Sequence, residues 1–225
     1  MNWAFLGLLA LMWNVSATAA NAESVEWPLL YSAPEIRARV VDEQTGAPLE
    51  GAVVDARWVL FTQLMGGNSH YLDSVHDFET RTDHDGWFRI PAWGPSPRTP
   101  NSHLVEYVPE FRVFKAGYFG QRFSNQRVVK PSDSKVESDW NGKAMKLRPF
   151  DGQDWKTYGL SLNSMWSGSS MDDCFRSCPY MVLAIYAEWE RIKPQIPPEI
   201  YRRSISPPPF QTRPADDRRF LEQFH

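Results

Sequence analysis

Two stretches decide the fold: Val41-Asp42-Glu43-Gln44-Thr45-Gly46-Ala47-Pro48-Leu49-Glu50-Gly51-Ala52-Val53-Val54, and Thr80-Arg81-Thr82-Asp83-His84-Asp85-Gly86-Trp87-Phe88-Arg89-Ile90. Each contains short polar side chains able to bond their own backbone, then a Gly free to take positive φ, which is turn chemistry. Around the turns the apolar period is two. Ile36, Ala38 and Val40 alternate with Arg37 and Arg39. Val54, Ala56, Trp58 and Leu60 alternate with Asp55, Arg57 and Val59, and Phe78, Thr80 and Thr82 with Glu79 and Arg81. This is the pattern of half-buried strands. Asp83–Gly86 predicts a hairpin turn with Trp87–Ile90 as the returning arm.

Working outward, residues 62–77 and 91–109 lack periodicity, the first with Gly66-Gly67 and the second with five prolines, so both read as long loops. Phe111–Lys115 is a further strand turning at Ala116-Gly117-Tyr118; Arg127–Val129 and Lys143–Leu147 are shorter candidates. About seven short strands with polar turns, and no helical pattern between them, predict a mainly β chain: an antiparallel Greek-key β-sandwich. After Pro149 the period changes. Trp155, Tyr158, Leu162 and Trp166 fall at helical spacing, with Asp151 and Asp154 near the N-terminal end. Ser170–Asp173 reads as a helix cap, and Pro179 as the first residue of a helix to about Lys193 that carries Val182, Tyr186, Trp189 and Ile192 on one stripe. Seven prolines between Pro194 and Pro214 predict an extended tail.

The first 22 residues carry no charge, and Ala4–Trp13 is an apolar run too short to span a bilayer. Small residues follow, ending Ala20-Asn21-Ala22 before Glu23, so a signal peptide cleaved near Ala22 and a periplasmic or secreted chain are expected. No Lys or Arg precedes the run, which leaves the position of the start codon open. The organisation expected is 1–22 signal peptide, 23–35 extended lead-in, 36–149 sandwich, 150–195 helical appendage with a disulfide, and 196–225 Pro-rich tail. Net charge is −3, and the basic and acidic residues are balanced in both halves, 15 and 17 before residue 151 and 9 and 10 after it. That argues against nucleic acid or an anionic bilayer as partner.

Together with Phe114-Lys115-Ala116-Gly117-Tyr118, the two opening stretches follow the pattern V-D-x-x-T-G-x-P-L-x-G-A, then T-x-T-D-x-x-G-x-F, in order and spacing. They resemble the carboxypeptidase regulatory-like domain, a transthyretin-like β-sandwich, over about residues 36–148. The resemblance implies a transthyretin-like fold and an accessory, non-catalytic role; it covers none of 151–225, and a shared fold does not transfer function.

Motifs for chemistry are sparse. His103-Leu104-Val105-Glu106 matches the H-x-x-E of metallocarboxypeptidases, but a catalytic zinc needs a third protein ligand, and the only His after it is His225. His70, His76 and His84, with Asp73, Asp77 and Asp85, form the densest set of potential metal ligands, with no defining spacing. There is no G-x-S-x-G; Ser132-Asp133-Ser134-Lys135 lacks a K-T-G partner; Tyr201-Arg202-Arg203-Ser204 only approaches the Tyr-Arg-Gly-Ser of transthyretin-like hydrolases. Cys174 and Cys178 are the only cysteines, and in an oxidising compartment they read as a disulfide. Trp87, Arg89 and Trp93 are the candidate ligand-binding side chains, as an aromatic platform for a sugar or peptide.

The function expected is an exported, non-enzymatic binding or structural module with no cofactor, whose partner is a protein, peptide or glycan. A carbohydrate- or peptide-binding protein using exposed aromatics, and a metal-dependent hydrolase using the loop histidines, are the alternatives. If the helices cover one face of the sandwich, recognition falls to the loops 62–77 and 91–109.

Overall fold

The structure is a computed structural model that describes residues 26–63, 69–165 and 177–203, and the backbone alone of residues 63, 69–73 and 201–203. The signal segment, Trp166, the Ser170–Asp173 cap, Cys174 and residues 204–225 lie outside the described residues. Ten strands are described: β1 Leu30–Ala33, β2 Ile36–Asp42, β3 Val53–Gln63, β4 Ser69–Arg81, β5 Trp87–Ile90, β6 Trp93–Pro97, β7 Ser102–Leu104, β8 Glu110–Phe114, β9 Gln121–Phe123 and β10 Ala144–Leu147. Three helices follow: α1 Trp155–Ser164, α2 Pro179–Ile192 and α3 Pro198–Arg203. The chain is a β-sandwich with a helical appendage.

One layer is β10-β2-β5, the other β4-β3-β8-β9 with β7 also on β3, and β1 pairs with β6. Val40, Val54, Ala56, Trp58, Leu60, Phe88, Ile90, Phe111, Val113, Met145 and Leu147 fill the space between the layers, on the alternate positions that the period of two assigns inward. Several expectations change. Residues 62–77 belong mainly to a long β3–β4 hairpin, paired from Val53↔Arg81 to Gln63↔Ser69. Residues 91–109 contain β6 and β7, whose short, Pro-interrupted runs carry too little periodicity to show in sequence. Arg127–Val129 forms no strand. β10 pairs with β2 in parallel, because the chain reaches it from the opposite layer by a long connection. Pro198–Arg203 is helical where an extended tail was expected.

The opening stretches owe their recurrence to hydrogen bonds. Asp42 Oδ1 accepts from the Gln44 and Thr45 amides and from Thr45 Oγ1, closing the first turn. Asp83 Oδ1 does the same for the amides of Asp85 and Trp87. Gly86 has φ +76°, and a Cβ there would stand 2.5 Å from the Val40 carbonyl. Thr82 Oγ1 donates to Leu49 O and accepts from Ala52 N, stapling the two stretches together. Tyr118 OH, from the third segment, donates to Asp42 Oδ2 at 3.0 Å.

The outer face of β3, β4 and β8 is covered by helices. Val53, Phe114 and Phe119 form one apolar cluster with Tyr158, Leu162, Met165, Met181, Val182, Ile185, Trp189 and Ile192. Asp154 caps α1 by accepting from the Thr157 amide, and Pro179 opens α2, both as the sequence implies. Tyr158 OH donates to Glu188, which also accepts from the Gly117 amide and is paired with Arg191.

Candidate functional site

The covered face carries charge. Asp55, Arg57, Asp77, Glu79, Glu110 and Arg112 alternate with the core residues, on the side away from the sandwich interior. Asp55 stands directly opposite both Glu79 and Arg112. Arg112 Nε and Nη2 both donate to Asp55 Oδ2, at 2.7 and 2.6 Å, with the two side chains 1% and 0% exposed. Arg112 also donates to the Met165 carbonyl at 2.8 Å and lies 3.5 Å from Cys178 Sγ. Arg122 donates to the Ser164 carbonyl. The orphan carbonyls at the end of α1 thus take their partners from the sheet, at the helix end where a cation suits the dipole. Glu79 does the converse for α2: its carboxylate accepts from the Tyr180 and Met181 amides at 2.7 and 2.6 Å. Burial raises the Glu79 carboxyl to about 7, even though those two amides and Arg112 pull it down. Every one of these charges is used to hold a helix or another charge.

A second polar region is used differently. Gly94 has φ +91°, and a Cβ would stand 2.5 Å from Tyr31 O, so glycine is what lets β6 close on β1. This ladder, with Arg98 N donating to Leu29 O and Arg98 Nε to Pro28 O, straps the lead-in onto the 96–98 segment. The next turn is closed by Ser102 Oγ and Ser102 N, both donating to Thr99 O. Asn101 takes φ +60° there, a conformation that Asn tolerates better than most residues, and its carbonyl accepts from Thr62 Oγ1. β7 then sets His103 opposite Phe61 and against Trp27, whose ring stacks on the imidazole at 4.3 Å. Glu26, Trp27, Leu29, Arg98, Asn101, Ser102 and His103 line an open groove of about 720 Å³. That volume falls within the roughly 300–1,000 Å³ of small-molecule sites. Burial first, and then Arg98, push His103 below its usual range, so it is a neutral donor–acceptor at neutral pH. The Glu26 carboxylate and the Asn101 amide have no protein partner among the described residues.

The side chains singled out in the sequence are not brought together. Trp87 is half-buried on the outer face of β5, with the Arg37 guanidinium 5.1 Å from its ring centroid, and Arg89 on the same face is paired with Glu35 at 2.6 Å. Trp93 is 8% exposed and lies in the core, because the Pro91-Ala92 step carries the chain onto β6 and turns the indole inward, so it forms no open platform with Trp87. His76 packs on Trp93 at 4.8 Å and beside Trp58 at 5.7 Å, and burial lowers its pKa. His70 is paired through its backbone with Thr62, at the far end of β4 from the turn that carries His84; the His70 side chain is outside the description. Among the described residues no group of three or more His, Cys, Asp or Glu is placed to hold a metal ion. Cys178 is fully buried at the start of α2. Sequence reading missed Glu26 and Trp27, which it left in an unassigned lead-in, and set His103 aside with the H-x-x-E match; a Trp ahead of the first strand was the available signal.

No family model matches the chain, and no curated protein does. Similar solved structures include the group B streptococcus pilus 2b backbone protein, 14% identical over 53% of this chain and 42% of that chain, with a TM-score of 0.27. Another is the hydroxyquinol 1,2-dioxygenase from Pseudomonas putida DLL-E4, 12% identical over 56% and 59%, with a TM-score of 0.27. A third is the C-terminal domain of shaft pilin spaA from Lactobacillus rhamnosus GG, 13% identical over 54% and 99%, with a TM-score of 0.26. The chain therefore spans less than two thirds of the length of the first two. Among the described residues no helix is long and apolar enough to cross a membrane.

Proposed function

We propose that the protein is an exported, non-enzymatic binding module of the carboxypeptidase regulatory-like type, and that its ligand lies in the groove between the lead-in and the β6–β7 turn. The observation that carries this reading is a contrast in partnering. The charges under the helices are bonded within the protein, whereas the Glu26 carboxylate and the Asn101 side-chain amide line an open groove with no partner among the described residues. Polar groups held by a rigid turn beside an aromatic ring are what a recognition site requires. The aspartate-turn and threonine-staple bonds support the family assignment, since they give Asp42, Thr45, Thr82 and Asp83 of the resembling pattern a structural role. Export is supported by the apolar leader and the cleavage pattern at Ala22, and a Cys174–Cys178 bridge would fix the angle at which the chain starts α2. Saturation binding of mature protein to peptide and glycan libraries, followed by Trp fluorescence, tests the function; no saturable ligand in either class would refute it. N-terminal sequencing of protein from the native host should begin near Glu23, and thiol labelling without reductant should find no free cysteine.

A further inference from the structure

We infer that the groove takes a neutral oligosaccharide, with a sugar ring packed on Trp27 and its hydroxyls held by Glu26, Arg98, Asn101 and His103; this rests on the binding function proposed above. The chemistry of the lining decides the class. A pyranose presents a C–H face, which suits an indole, and a rim of hydroxyls that each donate and accept. The groove offers the same combination. The part of half-buried Trp27 that His103 leaves uncovered supplies the apolar surface, Glu26 two acceptors, Arg98 donors, Asn101 a donor and an acceptor on one planar group, and the His103 imidazole one of each. A hydroxyl pair needs such mixed partners, whereas an anionic or cationic ligand needs a surplus of one sign.

Glu26 and Arg98 carry opposite charges, so the groove has no net charge to select an ion. The site is also held in place before any ligand arrives. The Asn101 carbonyl is tied to Thr62, Arg98 is tied through Nε to Pro28 O and through Nη1 to Thr99 O, and His103 is clamped between Trp27 and Phe61. Ordering Arg98, His103 and the Asn101 backbone therefore costs little at binding. The groove is open rather than enclosed, which lets a chain continue beyond the bound ring.

The test is calorimetry and amide NMR on mature protein with three panels: neutral hexose and N-acetylhexosamine oligomers, uronic-acid oligomers, and a random peptide library. The expected result is saturable binding of a neutral oligomer, with shifts centred on residues 26–29 and 98–103. Trp27→Ala should weaken it at least about tenfold, equivalent to ~1.4 kcal/mol. Because Trp27 also packs against the core, Asn101→Gly is the second variant. It keeps the positive φ, removes the amide, and should weaken binding severalfold while circular dichroism and Tm stay unchanged. Binding of peptides alone, or of uronic-acid oligomers alone, overturns the neutral-oligosaccharide assignment and leaves the binding function standing. Neutral-sugar binding indifferent to both substitutions overturns its placement in this groove. Silence from all three panels overturns both readings.

Discussion

The face beneath the helices and the groove at the lead-in use the same residue types to opposite ends. Under the helices, Arg112 and Asp55 are buried, Glu79 is half-buried, and all three are bonded, so that their free energy goes into fixing where α1 and α2 sit. In the groove, the Glu26 carboxylate and the Asn101 side-chain amide have no partner among the described residues, while the Asn101 carbonyl is tied to Thr62. Apolar packing alone is non-directional and would let the helices slide on the sheet. A guanidinium aimed at one helix's last carbonyls, and a carboxylate aimed at the next helix's first amides, remove that freedom. A polar group serves architecture when its partners come from its own chain; the groups left without such partners in the groove are those proposed above for recognition.

The largest effect that would break this contrast is removal of the appendage. Truncation after Pro149 exposes Val53, Phe114 and Phe119 and strips Arg112, Arg122 and Glu79 of helix partners. The shortened chain should aggregate or lose cooperative unfolding, as read by light scattering and calorimetry. A soluble fragment with the parent's Tm would mean that the helices are a free arm. Next comes Arg112→Ala, which leaves Asp55 buried without its cation; unfolding free energy should fall by ~3–5 kcal/mol in urea titration.

A smaller effect follows from Glu79. Its carboxyl is raised from 4.5 to about 7, so the folded state binds a proton that the unfolded state has released. This contribution is complete below the unfolded value near 4.5 and is lost as pH rises through about 7. The Tm of the wild type should therefore decline more steeply between pH 5 and 8 than that of Glu79→Gln. Parallel Tm profiles would show that Glu79 does not titrate in that window. The smallest effect belongs to the groove: Glu26→Gln, at an exposed site without protein partners, should change stability by no more than about 0.5 kcal/mol. A larger loss would mean that Glu26 is structural and would erase the contrast.

The sequence told much of the sandwich and little of the site. Alternation placed Ile36, Ala38, Val40, Val54, Ala56, Trp58 and Leu60 inward, because a strand reports its two faces directly in its period. The turns closed by Asp42 and Asp83 were readable because their bonds are local. The same alternation put Asp55 and Arg57 opposite the core, on the side where solvent would be expected. They are buried because α1 and α2, from more than 90 residues further on, close over them. Trp93 read as a candidate platform and is in the core, since its direction depends on the β6–β1 pairing.

What the sequence by itself determined is whatever depends on neighbours a few residues away: strand period, turn chemistry, helix starts at Asp154 and Pro179, and the change of texture after Pro149. Only the tertiary structure decided which polar residues are buried, that β10 runs parallel to β2, and that residues 26–29 meet residues 98–103. Those outcomes rest on contacts between segments some 70 or more residues apart. Such contacts are set by the packing of whole layers, and no local pattern encodes them.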